Sequence, residues 1–383
     1  MKIVFDGRTI RPRRTGVGYF VERLLRALMA QDRRNEYLVL LNDESVCESW
    51  DVPDNFSALT VRADYESHPW GDLWERYSLP RLLEREKADL FHGPAFRVPH
   101  VECCCPTVVT IYDLTCWRCG ESYPWGFRHY MRWQIRRSCA SAAAIITTSK
   151  ATAGDLREVL DVDPAKINVI YGAADERFCP AERVERERLA AIHPALARPY
   201  ILTVGTIEPR KRLDLLVAAY ERVYDEDSRR NPLIVVGKAG WKAKAILHAI
   251  THSSAAATIH HLDYVNEDDL VALYQGADLF VSASLYEGFG FPALEAMACG
   301  VPVVVTPGGA SAEIVGDGGI VVEEADPECL EVAMVSLLES EEERQPLKRK
   351  ALHRAAQFSW KTAAEQTMAV YERCGQSGSR VGS

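Results

Sequence analysis

Short and nearly uninterrupted apolar runs punctuate the first half of the chain at Lys2–Phe5, Tyr37–Leu41, Asp89–His92, Thr107–Ile111, Ala144–Thr147 and Ile167–Ile170. Runs of strand length without polar alternation belong to strands covered on both faces, as in a parallel sheet flanked by helices. A second series follows at Tyr200–Val204, Leu233–Val236, Thr258–Leu262, Leu279–Ala283 and Val301–Val305. The pattern predicts two doubly wound, Rossmann-like α/β domains over residues 1–180 and 199–358. Between them, residues 181–198 are charged, bounded by Pro180 and Pro199, and read as a linker. A long amphipathic helix from Trp360 to Arg373, within 359–375, closes the fold, and residues 376–383 read as a disordered tail.

The stretch Leu285 to Val305, LYEGFGFPALEAMACGVPVVV, departs most from plain core patterning. Good helix formers from Ala293 to Ala298 follow Pro292, which suits a first helical turn, and Gly300 ends the helix before a buried strand. Glu287 and Glu295 are eight residues apart, ~12 Å along a fully helical path. That exceeds the ~5–9.5 Å of a glycosidase carboxylate pair, so the two suit different parts of one extended ligand. Gly288 and Gly290, on either side of Phe289, let the backbone approach that ligand.

A second polar punctuation, VGTIEPRK, ends the strand at Val204. Arg210 and Lys211, adjacent cations ahead of a helix, are placed to neutralise a diphosphate. In the first half, the strand Lys2–Phe5 runs through a basic loop (Arg11, Arg13, Arg14) to Thr15-Gly16-Val17-Gly18 and a helix. A dinucleotide fingerprint would need glycine at Val21, so NAD binding is disfavoured. His92 and the pair Tyr112–Asp113 stand at strand ends, where ligand-facing residues are expected.

At 383 residues and 47% apolar content the chain has material for two cores, and its net charge of −9 argues against a nucleic-acid binder. MKIVFDG reads as a strand rather than a secretory signal, and no apolar run reaches the ~18 residues of a membrane span. Eleven scattered cysteines suit a reducing compartment, so a cytoplasmic protein is expected. Cys103–Cys105, Cys116 and Cys119 with His100 lack the spacing of a zinc site. Asp161-x-Asp163 precedes Pro164 and reads as turn chemistry rather than a metal motif. The segment 117–137 is rich in aromatics and arginine. Its Arg128, Arg132 and Arg136 run beside a stripe of Phe127, Met131 and Ile135, which makes one amphipathic helix. Its stripe packs on the sheet, or, with Trp125 and Trp133, it rests on anionic lipid.

The Glu-x7-Glu pair in EGFGFPALEAMACGVPVV resembles the signature of the retaining glycosyltransferases of family 4, which have the GT-B fold. VGTIEPRK and HHLDYVNEDDLVALYQGAD continue the resemblance, as do FHGPAF and VVTIYDLT in the first half. It implies two Rossmann-like domains facing a cleft, with the C-terminal helix crossing back to the first. It also implies that Glu287 contacts the donor sugar, Glu295 the ribose, Arg210 and Lys211 the phosphates, and Tyr264–Val265 the base. Gly16, Phe289 and Gly290 are implied to lie on the donor side. Glu287, Lys211, Arg210, Tyr112, Asp113 and His92 become the catalytic candidates. Many members carry His at Tyr112, and some an Arg at Thr206, so the chain departs from the family at both places.

The implied activity is transfer of a hexose, mannose first, from GDP-mannose or a UDP-sugar to a hydroxyl of a glycan or lipid-linked acceptor. No conventional base is obvious, which suits a front-face mechanism, and neither metal nor organic cofactor is required. The alternatives are a nucleotide-sugar epimerase of the same fold and a non-catalytic nucleotide-sugar-binding protein.

Overall fold

The computed structural model describes residues 1–12, 16–48, 50–63, 70–226 and 231–378. Arg13, Arg14 and Thr15 of the basic loop, and residues 379–383 of the expected tail, lie outside the described residues. The chain divides into two compact units. One comprises Met1–Leu114, His129–Gly172 and the C-terminal segment from Ser359; the other comprises Thr115–Arg128 and Ala173–Phe358.

The first unit is built on a seven-stranded parallel sheet. Its strands are β1 (Lys2–Asp6), β2 (Glu36–Leu41), β3 (Phe56–Thr60), β4 (Leu90–Gly93), β5 (Thr107–Ile111), β6 (Ala144–Thr147) and β7 (Ile167–Val169). Their order, β3-β2-β1-β4-β5-β6-β7, reverses direction between β1 and β4, as in a doubly wound sheet. Phe5, Leu90, Val109 and Ile145 are fully buried, as the apolar runs require. The sequence pattern misses β3, whose FSALT places only Phe56 in the core. An edge strand covered on one side has no continuous apolar run to detect.

The helix Gly16–Gln31 covers one face with Phe20, Leu24 and Leu28. The C-terminal helix, Trp360–Gly378, belongs to this unit. Gln31 Nε2 donates to the Lys361 carbonyl at 3.1 Å, and the rings of Phe20 and Trp360 meet edge to face at 5.1 Å. This helix runs past Gly375, so residues 376–378 are helical rather than tail. The helix Trp125–Ser141 buries Gln134, Ile135, Ser138 and Cys139. Phe127, expected in its packed stripe, is 38% exposed.

The second unit holds a six-stranded parallel sheet. It comprises β8 (Ile201–Val204), β9 (Leu233–Val236), β10 (Ile259–Leu262), β11 (Leu279–Ser282), β12 (Val303–Val305) and β13 (Ile320–Val321). The order β10-β9-β8-β11-β12-β13 puts its reversal between β8 and β11. Ile201, Leu216, Leu279, Leu330 and Met334 form part of one core. The segment read as a linker is instead packed here: it forms a helix, Arg186–Ile192, and a 3₁₀ turn, Pro194–Ala197, with Leu189 and Leu196 buried. Glu187 and Arg188 lie on the exposed face of that helix, so composition alone mistook an amphipathic element for a spacer.

Candidate functional site

In the second unit, β8 and β11 are neighbours at the point where strand order reverses, and the loops beyond their carboxyl ends carry the candidate residues. After β8, Glu208 precedes a 3₁₀ turn, Pro209–Lys211. Proline suits the first position of such a turn, because its missing N–H would have no partner there. The turn delivers Arg210 and Lys211 to the loop after β11. Lys211 Nζ donates to Glu287 Oε1 at 2.5 Å, and Arg210 Nη1 to Glu287 Oε2 at 3.0 Å. Arg210 is held from behind: Nε and Nη2 donate to Glu208 Oε1 at 3.0 and 2.7 Å, and Nη1 to the Tyr286 carbonyl at 2.7 Å. Its own carbonyl accepts the Leu285 N–H at 2.9 Å.

Burial alone would raise the Glu287 carboxyl. The charges of Lys211 and Arg210, with hydrogen bonds from Lys211 and Ser284, outweigh it and hold the group down at about 2. Burial likewise pushes Lys211 below the usual lysine value, against the pull of Glu287. The cluster is therefore an ionised carboxylate shared by two cations.

Glu295 behaves in the opposite way. The helix Phe291–Ala298 starts at Gly290, whose φ of 103° suits glycine, and carries Glu295 onto Tyr274, whose hydroxyl donates to Oε2 at 2.9 Å. Burial pushes Glu295 up to about 7, with Tyr274 opposing and Asp175 adding to the rise. The two glutamates, equal in the sequence, sit in environments that drive their pKa values apart.

Several contributors escaped sequence reasoning. Gly308 and Gly309 press against the Glu287 loop: a Cβ on Gly309 would meet Glu287 O at 2.3 Å, and Ala310 N donates to that same oxygen at 2.8 Å. The Gly-Gly pair after a strand was a legible signal of close backbone approach. Glu208 was legible too, two residues before the arginine it holds. Tyr274 had no signal, being 21 residues from Glu295. Phe289, grouped with the donor side, is 5% exposed, and its ring packs on Phe291 and Phe358. Tyr264 is 61% exposed with Lys238 Nζ 4.8 Å over its ring, and Val265 is half-buried beside it.

In the first unit, both ring nitrogens of His92 bond within the protein, Nδ1 to Tyr371 Oη at 2.6 Å and Nε2 to Thr110 Oγ1 at 2.9 Å. The ring is fully buried, and burial lowers it to about 3, so it stays neutral. His92 is a core link between β4 and the C-terminal helix rather than a catalytic base. The Tyr112 hydroxyl donates to the Pro94 carbonyl at 2.5 Å while its ring packs on Phe20 and Phe96. That bond commits its one proton to the scaffold. Asp113 follows, half-buried, just beyond β5. Gly16 opens its helix with nothing within 4 Å of an added Cβ. A buried ionic chain was missed altogether. Arg8, fully buried, donates to Asp6 at 2.8 and 2.6 Å and to Glu75 at 3.0 Å, and Arg97 links Glu75 to Asp72.

Asp161 and Asp163 are turn residues: Asp161 takes φ of 53° at a helix end, and Asp163 accepts from Ala165 N at 2.9 Å. All eleven cysteines are free thiols. Among the described residues, no cluster of His, Cys, Asp and Glu is arranged to hold a metal, and no helix is long and apolar enough to cross a membrane.

Comparisons with known proteins agree with the architecture. Residues 14–178 match the family described as Glycosyltransferase Family 4, and residues 185–354 match Glycosyl transferases group 1. O-antigen chain mannosyltransferase B of Escherichia coli is 30% identical over 390 residues, covering 97% of this chain and 100% of that protein. A D-inositol 3-phosphate glycosyltransferase of Salinispora tropica is 34% identical over 246 residues, 61% of this chain and 51% of that protein. The crystal structure of Anabaena HepE in complex with UDP-glucose matches with a TM-score of 0.75 at 18% identity, over 97% of this chain and 100% of that one. The shared fold is GT-B, and the chain belongs to glycosyltransferase family 4, the group 1 glycosyl transferases.

Proposed function

We propose that the chain transfers a hexose, mannose first, from a nucleoside diphosphate to a hydroxyl of a growing glycan, with retention at the sugar carbon. The observation that carries the reading is the meeting of Lys211, Arg210 and Glu287 beyond β8 and β11. As the sugar–phosphate bond breaks, positive charge grows on the sugar and negative charge on the departing diphosphate. Preorganised cations and amides stabilise that leaving group as an oxyanion hole does. Glu287 holds the sugar, Glu295 the ribose, and Tyr264 with Val265 the base. With His92 and Tyr112 committed to the scaffold, a donor phosphate oxygen takes the acceptor proton on the front face. The reading calls for no metal or organic cofactor, and the free thiols suit a reducing cytoplasm.

The choice of mannose leans on the E. coli O-antigen mannosyltransferase, related over nearly the whole chain; UDP-sugars are the alternative. A thermal-shift screen tests it, since a ligand stabilises the fold according to its concentration over Kd. GDP-mannose should raise Tm most, and a rise with UDP-sugars alone would overturn the choice. A lipid-linked acceptor, with the protein resting on anionic lipid, is the second reading. Trp133, 51% exposed among Arg132 and Arg136, favours it. Co-sedimentation with phosphatidylglycerol vesicles at low salt supports it, and its absence removes it.

A further inference from the structure

Two stretches far apart in sequence, one around Tyr123–Phe127 and one around Trp241–Lys242, meet in the second unit. The rings of Tyr123 and Phe127 lie 5.7 Å apart, tilted by 32°, and Phe127 and Trp241 lie 5.7 Å apart, tilted by 35°. Phe127 is 38% and Trp241 46% exposed, so a graded aromatic surface faces water. Lys242 fastens the two stretches together, its Nζ donating to the Glu121 carbonyl at 2.5 Å.

The shelf is joined to the turn that holds Arg210 and Lys211. Ile207 bridges to Ala239, Ile207 N donates to Lys238 O, and Gly240 N donates back to Ile207 O, both at 2.9 Å. A Cβ on Gly240 would meet Thr206 Cγ2 at 2.5 Å, so Trp241 is carried by backbone packed directly on that turn. Three large rings in mutual contact and partly open to water make a contiguous apolar patch, and such patches mark sites of interaction. A pyranose fits such a patch: its C–H face carries slight positive charge and lies flat on the negative face of an aromatic ring, while its hydroxyls stay in water.

We infer that Tyr123, Phe127 and Trp241 form a stacking shelf for a sugar ring of the acceptor glycan. The inference rests on the transfer reading above and adds where the second substrate lies. Joined to the diphosphate turn, the shelf seats an acceptor residue beside the site of bond exchange. An oligosaccharide acceptor then binds better than a monosaccharide, through rings beyond the one that reacts.

The test uses mannobiose and methyl α-mannoside as probes, with saturation-transfer NMR for binding and steady-state transfer for KM. Trp241→Ala and Phe127→Ala should each raise the acceptor KM roughly tenfold and weaken saturation transfer to mannobiose accordingly. Trp241→Phe, which keeps a ring, should retain most of both. The Kd for GDP or UDP should stay at the wild-type value in all three variants. An undiminished mannobiose signal in Trp241→Ala, or none from the wild type, overturns the shelf. So does an equal loss of nucleotide affinity, which would make Trp241 a prop for the phosphate turn. If Trp241→Ala instead abolishes binding to phosphatidylglycerol vesicles while leaving mannobiose bound, the surface is a lipid contact. Wild-type protein that binds no nucleoside diphosphate defeats the transfer reading itself, a result separate from all of these.

Discussion

Lys211 and Glu287 link the two loops of the candidate site, Nζ to Oε1 at 2.5 Å, while Arg210 takes the other carboxylate oxygen at 3.0 Å. Arg210 is also bonded to Glu208 and to the Tyr286 carbonyl, whereas Lys211 sits on a flexible stem. In the proposed reaction, Lys211 is thus the cation better able to follow the leaving phosphate.

Lys211→Ala should slow transfer by roughly 10²-fold or more, as for loss of one preorganised donor, with the fold intact. Steady-state turnover at saturating donor and acceptor measures it. Near-normal kcat would remove Lys211 from leaving-group stabilisation.

If Glu295 holds the ribose, as proposed, donor binding is pH-dependent. Burial raises its pKa to about 7, so below neutrality it is protonated and a poorer acceptor for ribose hydroxyls. Donor affinity should therefore strengthen as pH rises from about 6 to 8, and Glu295→Gln should flatten that profile. For the fold alone the sign is opposite. A raised carboxyl pKa gives stability that is full below the unfolded value and lost as pH rises through about 7. Calorimetric titrations across this range, with and without the substitution, separate the two effects.

Both parallel sheets were legible because their strands are continuous apolar runs, and eleven of the observed strands coincide with those runs to within a residue or two. The edge strands β3 and β13 were not, since alternation in FSALT and a length of two residues leave no pattern. In the site, Glu287, Arg210 and Lys211 were legible as charges beside strand ends. Their mutual pairing was not, because it joins residues 76 and 77 positions apart. His92 shows the converse. A histidine at a strand end reads the same whether it faces a ligand or, as here, a tyrosine 279 residues away.

The loop bearing Glu287 depends on Gly309, which takes φ of 63° and leaves no room for a Cβ beside the Glu287 backbone. Gly309→Ala should cost about 1–2 kcal/mol for the left-handed backbone alone, and more from the 2.3 Å approach to Glu287 O. Gly290→Ala shares the backbone strain, at φ of 103°, but meets nothing within 4 Å. Urea melts should rank Gly309→Ala as the more damaging, and equal losses would contradict the packing argument.

Tyr371→Phe isolates the structural part played by His92. Removing the hydroxyl deletes one buried hydrogen bond and should destabilise the first unit by about 1–3 kcal/mol, with kcat unchanged once the protein is folded. A large fall in kcat at full stability would restore His92 to the catalytic candidates.

On the proposed reading, the turn after β8 and the loop after β11 together bind the diphosphate of a nucleotide sugar. Calorimetric titration of GDP and UDP into the wild type and Lys211→Ala tests it most directly. One of the two nucleotides should bind the wild type at a single site, and Lys211→Ala should weaken that binding by at least about tenfold, or about 1.4 kcal/mol. Equal affinity in the two proteins, or no binding of either nucleotide to the wild type, would contradict it.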